Sequence, residues 1–571
     1  MRITAFAGAA VALSAVAMAA SPALAAGATP GYNAGTALHE AEKPKAPVDK
    51  PAPVPVLPQE EETPFVLPDG GTVLVRDFHL EGTEPTDEAE VRALLEPYRN
   101  RDLSLSEVYE AAAKVTNHYR GKGFMMAKAY VPRQDAGAGV LSIRVVIGRY
   151  GKTSHDNSSA IHDFLVEGTF DAIVEEGQPI SKDGLERAML LVSDMPGAQM
   201  PTVATAAGAT PGTSDFMIKT DPTSRLTGYV LGDNFGSRYT GRDRLSAGVD
   251  LNAPLGLADK LSLSGMTSKA AGLQNGRAAY AFPLSYSGLR LELAASRTTY
   301  KLGDIYHDLE ATGIANVWEG TLSYPLIRTS AESLWISVNA ASKRLQDKQF
   351  DVTTASKRAE TGTLAARNTT SGALFGFNLG TDVSSSLTFG NLRFPDSGQA
   401  QGNRAGVDTI GDYSKFNLSL GATLSFTDEL SLAGSLKAQK ALMGKNLDGS
   451  EQMSISGPAG VKSHVEGVMG DNGYLFNMEA KYTLPGIADF NHAVGLFTDM
   501  GRSYIQDRGY TSERNGTRLT DVGLGYYGNF QYDTNRYLVG KLLLTHAVGQ
   551  QVDVGEKNAR TKLLGQLGVT F

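Results

Sequence analysis

LFNMEAKYTL, residues 475–484, places Phe476, Met478, Ala480, Tyr482 and Leu484 on one side of an extended chain and Asn477, Glu479, Lys481 and Thr483 on the other. Side chains of a strand alternate between its two faces, so this segment has one apolar and one hydrophilic face. The next segment, HAVGLFTDMGRSY (492–504), does the same, with Val494, Leu496, Thr498 and Met500 on one side and Gly495, Phe497, Asp499 and Gly501 on the other. Asp499 is therefore expected on the wet face. Ahead of both lies GKNLDGSEQMSISGPAGVKSHVEGVMGDN, residues 444–472, rich in Gly, Ser and charge. A loop of that length between regular strands is more often functional than a passive connector.

Working outward, the alternation continues from Arg225 to Phe571, in Leu245, Ala247, Val249 and Leu251 and again in Phe416, Leu418, Leu420, Ala422, Leu424 and Phe426. About sixteen such segments fit, each with room for a span of about 10 residues and a connection. A soluble sandwich would bury one face of each of two sheets, whereas here a continuous apolar face opposes one carrying Asn477, Glu479 and Lys481. The reading is an antiparallel transmembrane barrel with water on its inner side.

Composition agrees. The chain has 571 residues, 63 Gly, no Cys and a net charge of −8, and its mean hydropathy of −0.18 is too low for a bundle of membrane helices. Barrels hide their hydrophobicity by alternating it. The missing cysteines exclude disulfides and thiolate metal sites, and the negative charge points away from nucleic acid.

The chain opens with a charged Arg2, an apolar run from Ala5 to Ala20 and a small-x-small site at Ala23-Leu24-Ala25. This predicts a secretory signal peptide over residues 1–25. Residues 26–70 follow, with a short helix expected within 31–42 and a semi-rigid extended linker over the proline-rich stretch 43–68. Next comes a small α/β module at 71–150: strands near Val73–Phe78, helical spacing at Val91, Leu94, Leu95 and Tyr98 and at Leu105, Val108, Ala112, Val115 and Tyr119, then strands at 126–132 and 140–147. A shorter second module is read at 151–222. There Phe164-Leu165-Val166-Glu167-Gly168 echoes Phe78-His79-Leu80-Glu81-Gly82, the strand of the first module, and LERAMLLVSDMPG supplies a helix.

No catalytic or metal constellation emerges. His39, His155 and His162 lack ligand spacing and read as surface residues. Gly523-Leu524-Gly525-Tyr526-Tyr527-Gly528 matches a dinucleotide fingerprint but lies within a strand, without the helix that the fingerprint requires. Neither a phosphate-binding lysine loop nor a nucleophile elbow is present in the sequence. The chain is read as a non-enzyme without cofactor.

Several of these stretches together resemble two-partner secretion outer-membrane transporters, the TpsB barrels of the hemolysin secretion/activation type. The likeness rests on YRGKGFMMAKAYVPRQ (119–134) with GVLSIRVVIGRYG after it, on RLTGYVLGDNFGSRYTGRDRL (225–245), and on GPAGVKSH, MGDNGY and the FTD of 497–499. It implies two α+β periplasmic POTRA domains, followed by an all-β 16-stranded antiparallel barrel over 223–571. It also implies an N-terminal plug helix and a long inward-folding loop at 444–473. Tyr119, Gly123, Phe124, Pro132 and Gln134 carry the first POTRA motif, and the terminal alternation ending in Phe571 resembles the signal read by barrel-assembly machinery. In the family a loop-tip Val-Arg-Gly-Tyr meets the Asp of a Phe-x-Asp wall motif. Here the tip is Val461, Lys462, Ser463 and His464, and the wall motif holds Phe497 and Asp499.

Lys462 is thus expected to approach Asp499 in a wet lumen, worth about 0.2 to 1 kcal/mol where solvent reaches the pair. The plainer reading is a solvated loop lysine. His464 would add pH sensitivity beside an acid. The implied function is export of an unfolded partner exoprotein, adhesin or hemolysin-like, with its own N-terminal secretion domain. POTRA edges or grooves would capture it, and its folding outside would supply the energy. Outer-membrane lipid and the assembly machinery are the other expected partners. Barrel assembly or insertion by the same architecture, and a diffusion porin, are the alternatives.

Overall fold

The computed structural model describes residues 32–41, 71–82, 88–134, 137–510, 515–549 and 559–571. The expected signal peptide and proline-rich linker lie outside them. A short helix α1 (Ala34–Glu40) is followed by the first module: β1 (Thr72–Val75), β2 (Asp77–Glu81), α2 (Glu88–Leu95), β3 (Arg101–Ser104), α3 (Leu105–Gly121), β4 (Lys128–Tyr130) and β5 (Val140–Val146). Strand β5 is central, parallel to β2 and antiparallel to β4, while β1 pairs with β3. Helix α3 starts where Ser104 and Glu107 form a reciprocal capping box. The Ser104 N–H beside the Glu107 carboxylate holds that group below its usual pKa. Val108, Ala111, Ala112, Val115 and Tyr119 then form one buried stripe against the sheet.

The second module begins two residues earlier than the sequence suggested. Strand β6 (Arg149–Asn157) includes Arg149 and Tyr150, and Tyr150 packs in the second core. It is followed by α4 (Asp163–Asp171), α5 (Lys182–Ser193), β7 (Thr202–Ala207) and β8 (Thr213–Thr220) in the sheet order β6-β8-β7. Phe164–Gly168 is helical rather than a strand: it lies inside α4, where Val166 and Phe170 turn into the core. His155 is not a plain surface residue either, since its ring packs on Phe170 at 5.6 Å.

The rest is a closed barrel of sixteen strands. In order they are β9 (Leu226–Asp233), β10 (Arg244–Asn252), β11 (Lys260–Ser268), β12 (Leu273–Pro283), β13 (Arg290–Lys301), β14 (Thr312–Arg328), β15 (Glu332–Gln349), β16 (Val352–Leu374), β17 (Phe377–Arg393), β18 (Gly411–Ser425) and β19 (Leu430–Ala441). Two short strands, β20 (Met453–Ser454) and β21 (Met469–Gly470), pair with each other inside the loop that follows. The wall resumes with β22 (Asn472–Ile487), β23 (Phe490–Tyr504), β24 (Thr517–Asp533), β25 (Arg536–Ala547) and β26 (Thr561–Thr570). Neighbours pair antiparallel, and β26 closes on β9. Phe571 completes the seam, exchanging both backbone hydrogen bonds with Gly228 at 2.7 and 3.0 Å.

The two faces separate sharply. Leu496 is 62% exposed toward the outside and its neighbour Phe497 only 3% exposed toward the lumen. The mouth beside the modules is marked by the second module's docking: Arg328 grips both carboxylate oxygens of Asp194 at 2.8 Å, and Arg290 donates to the carbonyls of Asp194 and Ala258 at 3.1 Å. Strands then alternate in direction, which puts the loop between β19 and β22 at the far mouth.

Candidate functional site

The chain leaves β19 at the far mouth and folds back into the lumen. Asn472 clamps the two ends of this loop by accepting from the Ala441 N–H at 2.9 Å. Farther in, two loop carboxylates meet three lysines on the wall. Asp448 lies 2.6 Å from Lys357 of β16, and Glu451 lies 2.6 Å from Lys343 of β15 and 2.9 Å from Lys415 of β18. Three cations around two anions satisfy charge that is otherwise expensive to bury.

At the tip, Val461 is fully buried with Ile455, Leu475 and Leu519. The backbone closes on itself there through Val461 N–H to Ile455 O at 2.9 Å and His464 N–H to Val461 O at 3.1 Å. This fixes Lys462, whose Nζ lies 2.8 Å from each oxygen of Asp499 and 4.4 Å from the centroid of the Phe497 ring. Asn477, directly across the strand pair, donates to Asp499 at 2.6 Å. The Ser463 N–H donates at 2.6 Å to Asp521, which stands opposite Asp499 on β24. Gly523 leaves room for Phe497, since a Cβ there would overlap the ring; the fingerprint-like run is thus a packing feature.

Two expectations need correction. The Asp499 side chain has no exposed surface and that of Lys462 only 18%, so the pair is not the water-screened contact anticipated for a wet lumen. The lumen is filled at this level because the loop itself excludes solvent. Second, His464 is buried beside Ser463, whose Oγ lies 3.0 Å from its Nδ1. Burial, with Lys562 adding to it and Glu466 opposing, pushes the imidazole pKa down to about 4. Its titration therefore lies below the physiological range.

Helix α1 also occupies the lumen. Asn33 caps it by accepting from Gly35 and Thr36, the Ala34 N–H donates to Asp347 of β15 at 2.8 Å, and Glu40 accepts from the Ser237 N–H and the Thr240 hydroxyl at 2.9 Å. Helix and loop touch directly: a Cβ on Gly35 would overlap the backbone of Ser450. Sequence reasoning placed Asn477 on the hydrophilic face without its contact to Asp499, and did not single out Asp521 or the carboxylates and lysines at the loop base. Inward-facing lysines on β15, β16 and β18, with the LDGSE of 447–451 in the loop, were the available signal.

In the first module Tyr119 is fully buried with Phe124 beside it at 6.4 Å, and Gly123 takes a φ of +97° that ends α3. Gln134, just past Pro132, uses its side-chain amide as a backbone rung: it donates to Ser142 O and accepts from Ser142 N, both at 2.8 Å. Strand β4 is not an open edge at its centre, because the N–H and carbonyl of Ala129 are both taken by the Thr116 hydroxyl at 2.9 and 3.3 Å. The outer strand β7 of the second module, with Thr202, Ala204, Ala206 and Ala207 exposed, is the longer edge.

Comparison with known proteins adds to this geometry. Residues 73–148 match the ShlB-type POTRA domain, and residues 212–528 match the haemolysin secretion/activation proteins ShlB/FhaC/HecB. The heme/hemopexin transporter protein HuxB of Haemophilus influenzae Rd is 29% identical over 444 residues, covering 76% of this chain and 77% of that one. The outer membrane transporter CdiB of Dickeya dadantii is 25% identical over 410 residues, 70% of each chain. The solved structure of CdiB from Escherichia coli superposes with a TM-score of 0.72 at 19% identity, covering 91% of this chain and 94% of that chain. With more than half its length matched, the chain belongs to the ShlB/FhaC/HecB family of haemolysin secretion/activation proteins, outer-membrane β-barrels of two-partner secretion.

Proposed function

We propose that this protein exports one secreted partner polypeptide, unfolded in transit, from the periplasm to the cell surface through its barrel. The observation that carries the reading is a sixteen-stranded barrel with two POTRA-like modules at one mouth and a lumen occupied by its own helix and loop. A barrel of that size encloses a channel wide enough for an extended chain. A stopper made of the same polypeptide keeps the pore shut between export events. This disfavours a diffusion porin, which needs an open lumen and no docking modules.

Capture is assigned to the modules. The exposed β7 edge can take an extended segment by strand addition, where backbone hydrogen bonds give affinity and alternate side chains give selectivity. The Lys462–Asp499 pair, with Asn477 and Asp521, then holds the loop tip on the wall while the helix and the loop base yield space. The resemblance to two-partner secretion transporters implies a cargo that is a large secreted protein with an N-terminal secretion domain.

Deleting residues 71–148 tests whether capture needs the first module in addition to the β7 edge of the second. Surface display of the partner should be lost while the barrel still inserts and keeps its heat-modifiable mobility. Normal secretion by that deletion would remove the first module from capture.

A further inference from the structure

The outer wall of β13 to β17 carries an arrangement that export does not require. Arg297 pairs in register with Asn316, Asn316 with Arg344, Arg344 with Arg358, and Arg358 with Arg393. Register partners share a face, so four arginines and one asparagine form a single row across five adjacent strands. The row faces outward: each arginine is exposed, while the flanking Leu345, Lys357, Ala359 and Leu392 are buried toward the lumen. Among the described residues no carboxylate lies within ion-pair distance of any of the four. The Arg344 guanidinium stacks 5.1 Å from the Trp318 ring, and Arg393 donates to Asn391 at 2.6 Å. Like charges on neighbouring strands repel, so such a row is stable only where anions or water answer it.

Its height narrows the choice. The modules dock at the Arg290 and Arg328 ends of β13 and β14, and the arginine row lies toward the other mouth. From Ile336 to Arg344 the chain rises about 26 Å along the strand, or roughly 20 Å after barrel tilt, the far edge of an apolar band about 25 Å tall. Two register rows below the arginines, Leu293, Gly320, Ala340, Gly362 and Phe389 line up across the same five strands. The three small residues make a shallow outward trough between Leu293 and Phe389, which are 51% and 58% exposed. Beneath it the surface is Leu322, Val338 and Leu364, at 41%, 55% and 58% exposure.

We propose that this wall binds a phosphorylated, multiply acylated glycolipid of the outer leaflet. Its phosphates would pair with the arginine row and an acyl chain would lie in the Gly320–Ala340–Gly362 trough. Guanidinium groups suit phosphate because their fork matches two oxygens at once. Adjacent strands are about 4.8 Å apart, so the row spans about 19 Å, enough for a headgroup bearing more than one phosphate. Glu360, one row below, is engaged by the Ser342 hydroxyl at 3.1 Å rather than by an arginine.

The test uses the purified full chain in detergent, with native mass spectrometry as the readout. The probes are bis-phosphorylated lipid A, the same lipid enzymatically dephosphorylated, and inorganic phosphate alone. Wild type should prefer the phosphorylated lipid by about tenfold, and an Arg297→Gln/Arg344→Gln/Arg358→Gln variant that keeps heat-modifiable mobility should lose that preference. Inorganic phosphate should not displace the lipid. Equal binding of the two lipids by wild type overturns the proposal whatever the variant does. So does an unchanged preference in the folded triple variant, or, where that variant fails to fold, in Arg358→Gln alone. Displacement by free phosphate would reduce the row to a nonspecific anion surface and overturn it as well.

Discussion

Replacing Lys462 by Met removes the ammonium but keeps most of the side-chain volume, and strands a carboxylate that has no exposed surface. Breaking a buried ion pair from one side costs about 3 to 5 kcal/mol. The lower end applies here, because Asn477 still donates to Asp499 at 2.6 Å and Lys462 keeps 18% exposure. A loss of about 3 kcal/mol raises the population of the undocked tip by about two orders of magnitude. The loop base stays anchored through Glu451 and Asp448, so the opening is local. Because the chain has no cysteine, a Val465→Cys reporter reads it cleanly. Val465 is 8% exposed and packed against Phe235 and Phe497, so maleimide reaches it only when the tip leaves the wall. Labelling in Lys462→Met should be about a hundredfold faster than in the reporter alone. Rates within twofold of each other would refute the claim that this pair holds the tip.

Lys462→Arg, which supplies a planar fork to the same carboxylate, should label no faster than the reporter alone and secrete normally. Gly35→Ala drives a methyl group into the Ser450 backbone, so α1 should leave its seat and single-channel conductance in planar bilayers should rise. Lys343→Met strands Glu451 with Lys415 alone and should make the loop base sensitive to added protease, with little change at the tip reporter. The undocked loop takes up a proton at His464 near pH 6.5 and the docked loop only near 4, so the His464 contribution to docking should weaken as pH falls through that interval. His464→Gln should flatten that dependence in the same labelling assay.

The barrel was legible because transmembrane strands write their environment into every second residue. Leu496 and Phe497 differ only in side-chain shape, yet they sit in lipid and in the plugged lumen, and the alternation around them told the two faces apart. Lys462 and Asp499 came from a motif resemblance, since nothing in their 37-residue separation implies contact. What stayed hidden has no period. Lys343 and Glu451 are 108 residues apart, and the contact exists only because the barrel closes and the loop turns inward. The FLVEG of 164–168 misled because the motif it echoes fits a strand and a helix equally well; in α4 it is the spacing of Val166 and Phe170 that points into the core. Strand β3 was missed since RDLS shows no alternation and is held by pairing with β1. The occupied lumen was under-read for a related reason: an inner face of Asn, Glu and Lys looks wet until its partners on the loop are in place.

Export of a specific partner through this barrel is measured most directly on the cell surface. Quantitative proteomics of the surface-released and periplasmic fractions would compare cells lacking the chain with cells re-expressing it as wild type or as Asp499→Ala. One large polypeptide should be lost from the surface without the chain, restored by wild type, and not restored by Asp499→Ala at equal barrel abundance. A surface proteome unchanged by loss of the chain would contradict specific export, as would a general fall in other outer-membrane barrels.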